Sequence, residues 1–533
     1  MMLDFFIKNA QIVDGTGAQP YFGSIGIQGD TIVFADAEKH SGETAQRVLD
    51  ADGQTAVPGF IDIHCHSDAV IFHPGKNRNR LLQGFTTEVI GNCGLSLAPT
   101  APETLDALRQ YCGPFFSYMP VPYNWRSFSE YLTALERQQP LLNTAALVGH
   151  GTLRIALAGL ENRPLTDGEQ ETMNGLLREC LEAGAFGFST GLFYAPGVFA
   201  GRQEILQLAK ITAEYGGLYA THLRSESRHL AESVAETLSL AEQSGVRVEF
   251  SHHKASGREN FGKVRQTLAM IEDANARGLE VHCDVYPYVT ANTQFSSILP
   301  PWALAGGMDA LLSRLRTPEL RAQVIRDLKG EGAVFENLYL ASGWDKILIN
   351  ECSAPEFVGK TIAQIAEERG ADPFEAAMDV IVEGNNSAMM IIELMCEEDV
   401  AAVLKGRYSM VCTDGFPSQG KCHPRYTASF IRVLEKYVRQ ERLLTLPEAI
   451  QKMTGLPAQK LGLPDRGRIA PGCKADLLLL NPERIHDTAD YDHPDGLAQG
   501  LEIVMINGVL AMEQGKSTGV CAGRVLHRNR AEK

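Results

Sequence analysis

No stretch of this chain approaches the roughly 20 apolar residues of a membrane-spanning helix, so no membrane role is expected. Positive charge is in short supply: 49 Lys and Arg stand against 65 Asp and Glu, a formal net charge of −16. A general nucleic-acid surface wants a basic stripe, and this balance argues against one. An anionic small molecule stays compatible, because a buried site can be locally positive inside an acidic protein. The start, Met-Met-Leu-Asp-Phe-Phe-Ile-Lys-Asn-Ala, carries Asp4 and lacks a basic run ahead of an apolar core, so it does not read as a secretory signal. The 11 cysteines are odd in number and scattered. They offer no disulfide framework and suit reduced thiols in a cytoplasm.

What is there is length and alternation. At 533 residues the chain can bury a large core and form more than one domain. Both ends read as short strands between turns, such as Asp4-Phe-Phe-Ile-Lys-Asn and Gly23-Ser-Ile-Gly-Ile-Gln at the start and Ala475-Asp-Leu-Leu-Leu-Leu480 and Glu502-Ile-Val-Met-Ile-Asn at the finish. The expectation is a β-sandwich of residues 1–58 plus 468–533. Residues 59–467 alternate strand-like runs with amphipathic segments such as 202–215 and 228–244. That is the pattern of an α/β fold whose parallel sheet closes into a (β/α)8 TIM-like barrel. The candidate strands are 60–64, 87–91, 145–149, 185–189, 218–222, 248–252, 280–284 and 408–414, with Ser387-Ala-Met-Met-Ile-Ile-Glu-Leu394 as a ninth apolar run. A stretch of about 290–345, with Leu299-Pro-Pro-Trp302 and Gly306-Gly307, is too long for one crossover helix and reads as an insertion. A lid over the barrel mouth, decoration and an oligomer contact are its three readings.

The residues that carry chemistry stand at the ends of these runs. His64 and His66 close the stretch Gly59-Phe-Ile-Asp-Ile-His-Cys-His66. Side chains two apart on a strand point the same way, so two imidazoles converge while Cys65 faces away. Cys93 ends the second candidate strand, His222 the fifth, His252 the sixth and Asp414 the eighth. Taken singly, each has a plainer reading: a small buried hydrophobe for Cys93, a turn or cap for Asp414, satisfied core groups for the histidines. Together, at C-terminal strand ends, they face one mouth. Four imidazoles, a thiolate and a carboxylate suit zinc. Lys254 shares the face of His252, His253 points away, and His150 in Val-Gly-His-Gly either bonds in the mouth or is structural.

The pattern resembles the amidohydrolase superfamily, and in detail its N-acyl-D-amino-acid deacylases, also called D-aminoacylases. The matching stretches are Gly59–Asp68, Thr86-Thr-Glu-Val-Ile-Gly-Asn-Cys-Gly94, Leu147-Val-Gly-His-Gly-Thr-Leu-Arg154, Thr221-His-Leu-Arg-Ser-Glu226, Phe250-Ser-His-His-Lys254, Asp284-Val-Tyr-Pro-Tyr288, Cys412-Thr-Asp-Gly415 and His423-Pro-Arg425. They span nearly the whole chain. The resemblance implies that Cys93, His222 and His252 hold one tightly bound Zn2+. It implies that His64, His66 and Asp414 flank a second, weaker metal position. Asp414 is then the general base, and Lys254, Tyr286 and Arg425 grip the α-carboxylate of an N-acyl amino acid, with D selectivity implied by the family alone. Two stretches depart from the family: Val289-Thr-Ala-Asn-Thr-Gln294 and Tyr426-Thr-Ala-Ser-Phe-Ile-Arg432.

Zinc would make hydroxide available near neutral pH and polarise an acyl carbonyl, so no nucleophilic serine is required. No Gly-x-Ser-x-Gly elbow is expected near these strands. Two further readings compete. A cyclic-amide hydrolase like the hydantoinases or dihydroorotases relies on a fourth-strand lysine, and Ala185-Phe-Gly-Phe-Ser-Thr-Gly191 has none. A non-catalytic scaffold usually shows missing ligands, and here the set stands. The sequence leaves open the side-chain and acyl preferences, the number of metals in turnover and the number of subunits.

Overall fold

A strand buried on both faces reads as an unbroken apolar run, the condition of a parallel sheet covered by helices. A computed structural model describes residues 2–37, 43–73, 75, 77–116, 119–332, 334–418 and 421–528. Residues 1, 38–42 and 529–533 of the expected terminal spans, and residue 333 of the expected insertion, lie outside them. The parallel strands are β1 (Phe60–Asp62), β2 (Phe85–Ile90), β3 (Asn143–Ala146, resumed as Val148–Gly149), β4 (Gly187–Gly191), β5 (Leu218–His222), β6 (Arg247–Phe250), β7 (Val281–Val285) and β8 (Ser409–Val411). One ladder joins β1, β2 and the first half of β3; another runs from the second half of β3 through β4, β5, β6 and β7 to β8.

Beyond the ladders, the ends of β8 and β1 are bonded to each other. Asp414 N donates to His64 O at 2.8 Å, and His66 N donates to Gly415 O at 2.8 Å. Asp62 fastens the same seam from below. Its fully buried carboxylate accepts from Thr413 N (3.0 Å), Thr413 Oγ1 (2.6 Å), His64 N (3.3 Å) and Arg80 Nη2 (2.7 Å).

Helices pack against these strands where the sequence predicts them. Those expected at 202–215 and 228–244 form Arg202–Glu214 and Leu230–Ser244. The latter stops at Gly245, φ 75°, a left-handed position that favours glycine. Helix Asp167–Ala183 opens on a capping box in which Thr166 and Glu169 satisfy each other's backbone N–H.

The two chain ends meet in one sheet. Leu3–Ile12 pairs with Tyr21–Gln28, Ala45–Asp50 and Thr55–Pro58, and the last of these pairs antiparallel with Leu477–Leu480, followed by Leu501–Ile506 and Val509–Glu513. Ile7, Ile25, Ile27, Leu477, Leu479 and Met505 form a core apart from the main one.

Between β7 and β8 the chain leaves the parallel strands. Thr290–Gln294, Met389–Glu393 and Ile347–Glu351 make a separate antiparallel sheet with Met389–Glu393 in the middle. The excursion thus runs past residue 345. The run 387–394 joins this small sheet rather than the parallel one, because apolar patterning makes a strand without naming its partner. Leu299, Trp302 and Trp344 pack within the excursion. Trp344 lies 4.4 Å from Tyr339 between ring centroids, and Trp302 Nε1 donates to Asp327 Oδ2 at 2.8 Å. Among the described residues no helix is long and apolar enough to cross a membrane, and all 11 cysteines are free.

Candidate metal centre

The strands expected over 60–64, 248–252 and 408–414 stop early, at Asp62, Phe250 and Val411. The residues beyond turn inward instead of extending the ladder. Cys93 (φ 51°), His252 (φ 37°) and Asp414 (φ 46°) all adopt the left-handed backbone region. Such positions cost about 1–3 kcal/mol each for non-glycine residues and gather at functional sites. At Cys93 the glycines on either side make the turn feasible. A Cβ on Gly94 would meet Gly191 N at 2.7 Å.

Four donors converge here. His64 Nε2 is 3.3 Å and His252 Nε2 is 3.4 Å from Cys93 Sγ. Asp414 Oδ1 is 3.4 Å from His64 Nε2 and 3.4 Å from His66 Nε2. His64, Cys93, His252 and Asp414, all buried, each offer a ligand atom within 4.8 Å of the others. His222, Glu226 and His252 make a second such group. His222 stands edge-on to His252, 4.5 Å between ring centroids, with its Nε2 3.6 Å from Glu226 Oε2. Cys65 points away, toward Ser67 and Val89 O.

Charge is organised to match. Burial works against it, yet the His64 and His252 imidazoles hold the Cys93 thiol well below the ordinary thiol range. Against the same burial, Arg425 and His252 hold the Asp414 carboxyl well below the usual carboxylate range. Burial and Lys254 oppose protonation of His252, but Asp414, Glu226 and Cys93 push it up to about 9. The anionic donors thus collect positive charge at their centre, which a dication supplies in place of protons. Spacing agrees. Tetrahedral sulfur and nitrogen ligands at about 2.3 Å and 2.0–2.1 Å from zinc stand about 3.6 Å apart, close to the 3.3 and 3.4 Å found.

The remaining candidates ring this cluster. Arg425 opens the helix Arg425–Arg432. Its Nη1 is 2.8 Å from Asp414 Oδ2, its Nη2 donates to Asn292 O at 3.0 Å, and its guanidinium lies 4.6 Å from the Tyr286 ring centroid. The Tyr286 hydroxyl is buried without a hydrogen-bond partner. Lys254 Nζ lies 2.8 Å from both Glu226 oxygens and 2.7 Å from His252 Nδ1. His150 stands elsewhere, 2.7 Å from Glu204, which also binds Arg154, so its role is structural. His253 turns to Thr267 Oγ1 at 2.7 Å.

The chain belongs to the amidohydrolase family. The family's sequence profile matches residues 47–525. A D-aminoacylase of Alcaligenes xylosoxydans xylosoxydans is 33% identical, covering 99% of this chain and 98% of its own. An N-acyl-D-glutamate deacylase of the same organism is 34% identical, covering 99% and 97%. The structure of an N-acyl-D-glutamate deacylase from Bordetella bronchiseptica, complexed with zinc and a phosphonate inhibitor that mimics the tetrahedral intermediate, is 33% identical with a TM-score of 0.83, covering 99% of this chain and 100% of that one.

Two side chains of this amidohydrolase carry weight that sequence reading missed. Glu226 bridges Lys254 and the second donor group. Asp284 binds His64 Nδ1 (3.4 Å) and accepts from His252 N (2.7 Å), so it orients the His64 ring and fixes the backbone at His252. It stands one residue before the end of β7, and it closes the strand expected over 280–284, the same signal that marked His222 and His252. The spacing of the elbow motif, which was not expected, is nonetheless present. Gly187-Phe-Ser-Thr-Gly191 does have the Gly-x-Ser-x-Gly spacing. It lies within β4, not at a strand-to-helix elbow. The Ser189 hydroxyl donates to Gly91 O and accepts from Gly94 N, so it serves the Cys93 loop and is no nucleophile.

Proposed function

We propose that the chain hydrolyses N-acyl-D-amino acids to a carboxylate and a free D-amino acid, using bound zinc. The observation that carries this reading is the buried cluster of Cys93, four histidines and Asp414, beside a paired Arg425 and an unpartnered Tyr286 hydroxyl. D selectivity rests on the relatives' substrates. Cys93, His222 and His252 would hold the tight zinc; His64, His66 and Asp414 would flank a weaker second position. Zinc supplies Lewis acidity, bringing a water's pKa toward about 7 and drawing charge from the acyl oxygen.

Asp414 takes the proton of the attacking water as the water's oxygen joins the acyl carbon, and returns it to the nitrogen as the C–N bond breaks. Arg425, a planar double donor, exchanges its contact with Asp414 for the substrate's α-carboxylate. That exchange frees Asp414 to accept a proton. Lys254 and the Tyr286 hydroxyl complete the grip. Asp284 holds the His64 ring, as carboxylates behind metal-binding histidines commonly do, and anchors the backbone that carries His252.

For the scaffold, the backbone bonds between the ends of β8 and β1 support an eight-stranded parallel barrel closed at that seam. The separate core of the terminal sheet supports a small sandwich of residues 1–58 plus 468–533 beside a hydrolase barrel of 59–467, with the excursion after β7 as an inserted lid segment. A small-molecule substrate and a cytoplasmic location fit the acidic charge and the free cysteines. The test is hydrolysis of N-acetyl D- and L-amino acids with zinc counted per chain. Turnover of D substrates that tracks zinc content supports the reading; turnover by metal-free protein, or of L substrates alone, contradicts it.

A further inference from the structure

The two stretches in which this chain departs from its family, 289–294 and 426–432, meet a third segment that the chemistry described so far does not use. Between the strands Leu477–Leu480 and Leu501–Ile506 the terminal sheet sends out residues 481–500, with no helix or strand of their own. A connection of that kind longer than about 12–15 residues is, as a rule, functional or disordered. This one is firmly bonded, and its partners lie in the barrel. Asn79 Nδ2 donates to Asp495 Oδ1 at 3.0 Å, Gln83 Nε2 to Gly496 O at 2.8 Å and Thr427 Oγ1 to Pro494 O at 2.9 Å. Lys421 Nζ lies 3.2 Å from Asp492 Oδ1. Amid these anchors the Tyr491 hydroxyl lies 2.5 Å from Thr290 Oγ1, and the Tyr491 and His423 rings stand 5.2 Å apart between centroids.

From Tyr491 a line of hydrogen bonds runs to Arg425. His423 is buried, and its Nδ1 accepts from Arg425 N at 3.1 Å. Burial and the Arg425 charge hold the ring's pKa well below its ordinary value, so it is neutral. With Nδ1 accepting, its one proton sits on Nε2. Nε2 then donates to Thr290 Oγ1 at 2.7 Å, with Thr290 O at 3.2 Å. Two residues along the same strand, Asn292 O accepts from Arg425 Nη2 at 3.0 Å. The strand Thr290–Gln294 thus fixes Arg425 at both ends, at its backbone through His423 and at its guanidinium directly. We propose that Thr290 and Tyr491 are positioning residues for the α-carboxylate grip: the segment from the terminal sheet braces Arg425 through Tyr491, Thr290 and His423. This rests on the grip proposed above. A guanidinium already aimed loses less freedom when it captures a carboxylate, so the bracing acts on substrate binding and not on the bond-breaking step.

The experiment measures, at equal zinc content, kcat and KM for N-acetyl-D-methionine and KI for N-acetyl-D-methioninamide, in which a neutral amide replaces the carboxylate. Thr290→Val keeps the shape and removes the hydroxyl. It should raise KM about fivefold, the worth of one net hydrogen bond, and leave kcat unchanged. KI should stay the same, because the inhibitor has no carboxylate to be gripped. Thr290→Ser should keep the KM of the unaltered protein. Tyr491→Phe should also raise KM, and should add nothing to Thr290→Val, since its hydroxyl reaches Arg425 only through Thr290. Unchanged KM in both single variants, KM and KI rising together, or additive effects in the double variant would overturn the bracing while leaving the deacylase reading intact. Equal binding of acid and amide by the unaltered protein would instead sink the grip, and absence of hydrolysis would sink the deacylase reading; the bracing falls with either.

Discussion

Replacing Asp62 by Asn changes almost no volume and removes one charge from a fully buried place. Its carboxylate accepts four hydrogen bonds, from Thr413 N and Oγ1, His64 N and Arg80 Nη2. Asn retains one acceptor oxygen. Its NH2 group must then face either the Arg80 guanidinium and Thr413 hydroxyl at the Oδ2 position or the Thr413 and His64 backbone N–H groups at the Oδ1 position, donor against cation in the first case and donor against donors in the second. Breaking a buried ion pair from one side costs about 3–5 kcal/mol. Arg80 keeps Glu88, with Nε at 3.3 Å, and Tyr426 O at 2.8 Å, so the expected loss is at the lower end, about 3 kcal/mol. Urea unfolding of the two proteins at equal zinc measures it. Because Asp62 holds the backbone under both His64 and Asp414, zinc content and kcat should fall with stability. Adding Arg80→Met should recover part of the loss, since a cation without its partner is worse than neither. A loss below about 1 kcal/mol, with zinc unchanged, would refute the claim that this seam is held by Asp62.

Other substitutions address the chemistry. Asp414→Asn should keep zinc at Cys93 yet lower kcat by about 10²–10⁴; an undiminished rate removes Asp414 as the base. Arg425→Ala should raise KM far more than it lowers kcat, and an unchanged specificity constant argues against the carboxylate grip. Acidic side chains should be poor. Lys254 and Arg425 are the Lys and Arg side chains lining the site among the described residues, and the proposed grip commits both to the α-carboxylate, while Glu226 and Glu336 line it with negative charge. N-acetyl-D-glutamate should therefore react at least tenfold more slowly than N-acetyl-D-methionine in kcat/KM; equal constants would point to a cation elsewhere.

The sequence was most legible where one signal had one cause. Leu218-Tyr-Ala-Thr-His222 is an apolar run ending on a polar residue, and its strand has those limits. Elsewhere strand ends were set by events that patterning does not encode. β1 stops at Asp62 because the next residues bond to the loop after β8, some 350 residues away, and turn His64 and His66 toward Asp414. The left-handed turns at His252 and Asp414 have no glycine at those positions to announce them. The run at 387–394 was visible as a strand, but its partners Thr290–Gln294 and Ile347–Glu351 were not, since register is a property of the pair. Within the site, the ligand types and the groups around Arg425 could be read from motif and position. What could not be read is which donor touches which: His64 and Asp414 sit with Cys93 and His252, while His222 lies beside Glu226. The meeting of Phe115, from the helix Leu105–Phe116, with Phe193 and Tyr194, from the turn after β4, along the lining of the site left no trace at all, because aromatic side chains look alike until the fold brings them together.

Anomalous diffraction at the zinc edge, from crystals of active enzyme, tests the central claim most directly. The account predicts a peak about 2.3 Å from the Cys93 sulfur, in contact with the His252 ring and lost when Cys93 is replaced by Ala. Active crystals with no anomalous peak at Cys93 would contradict it.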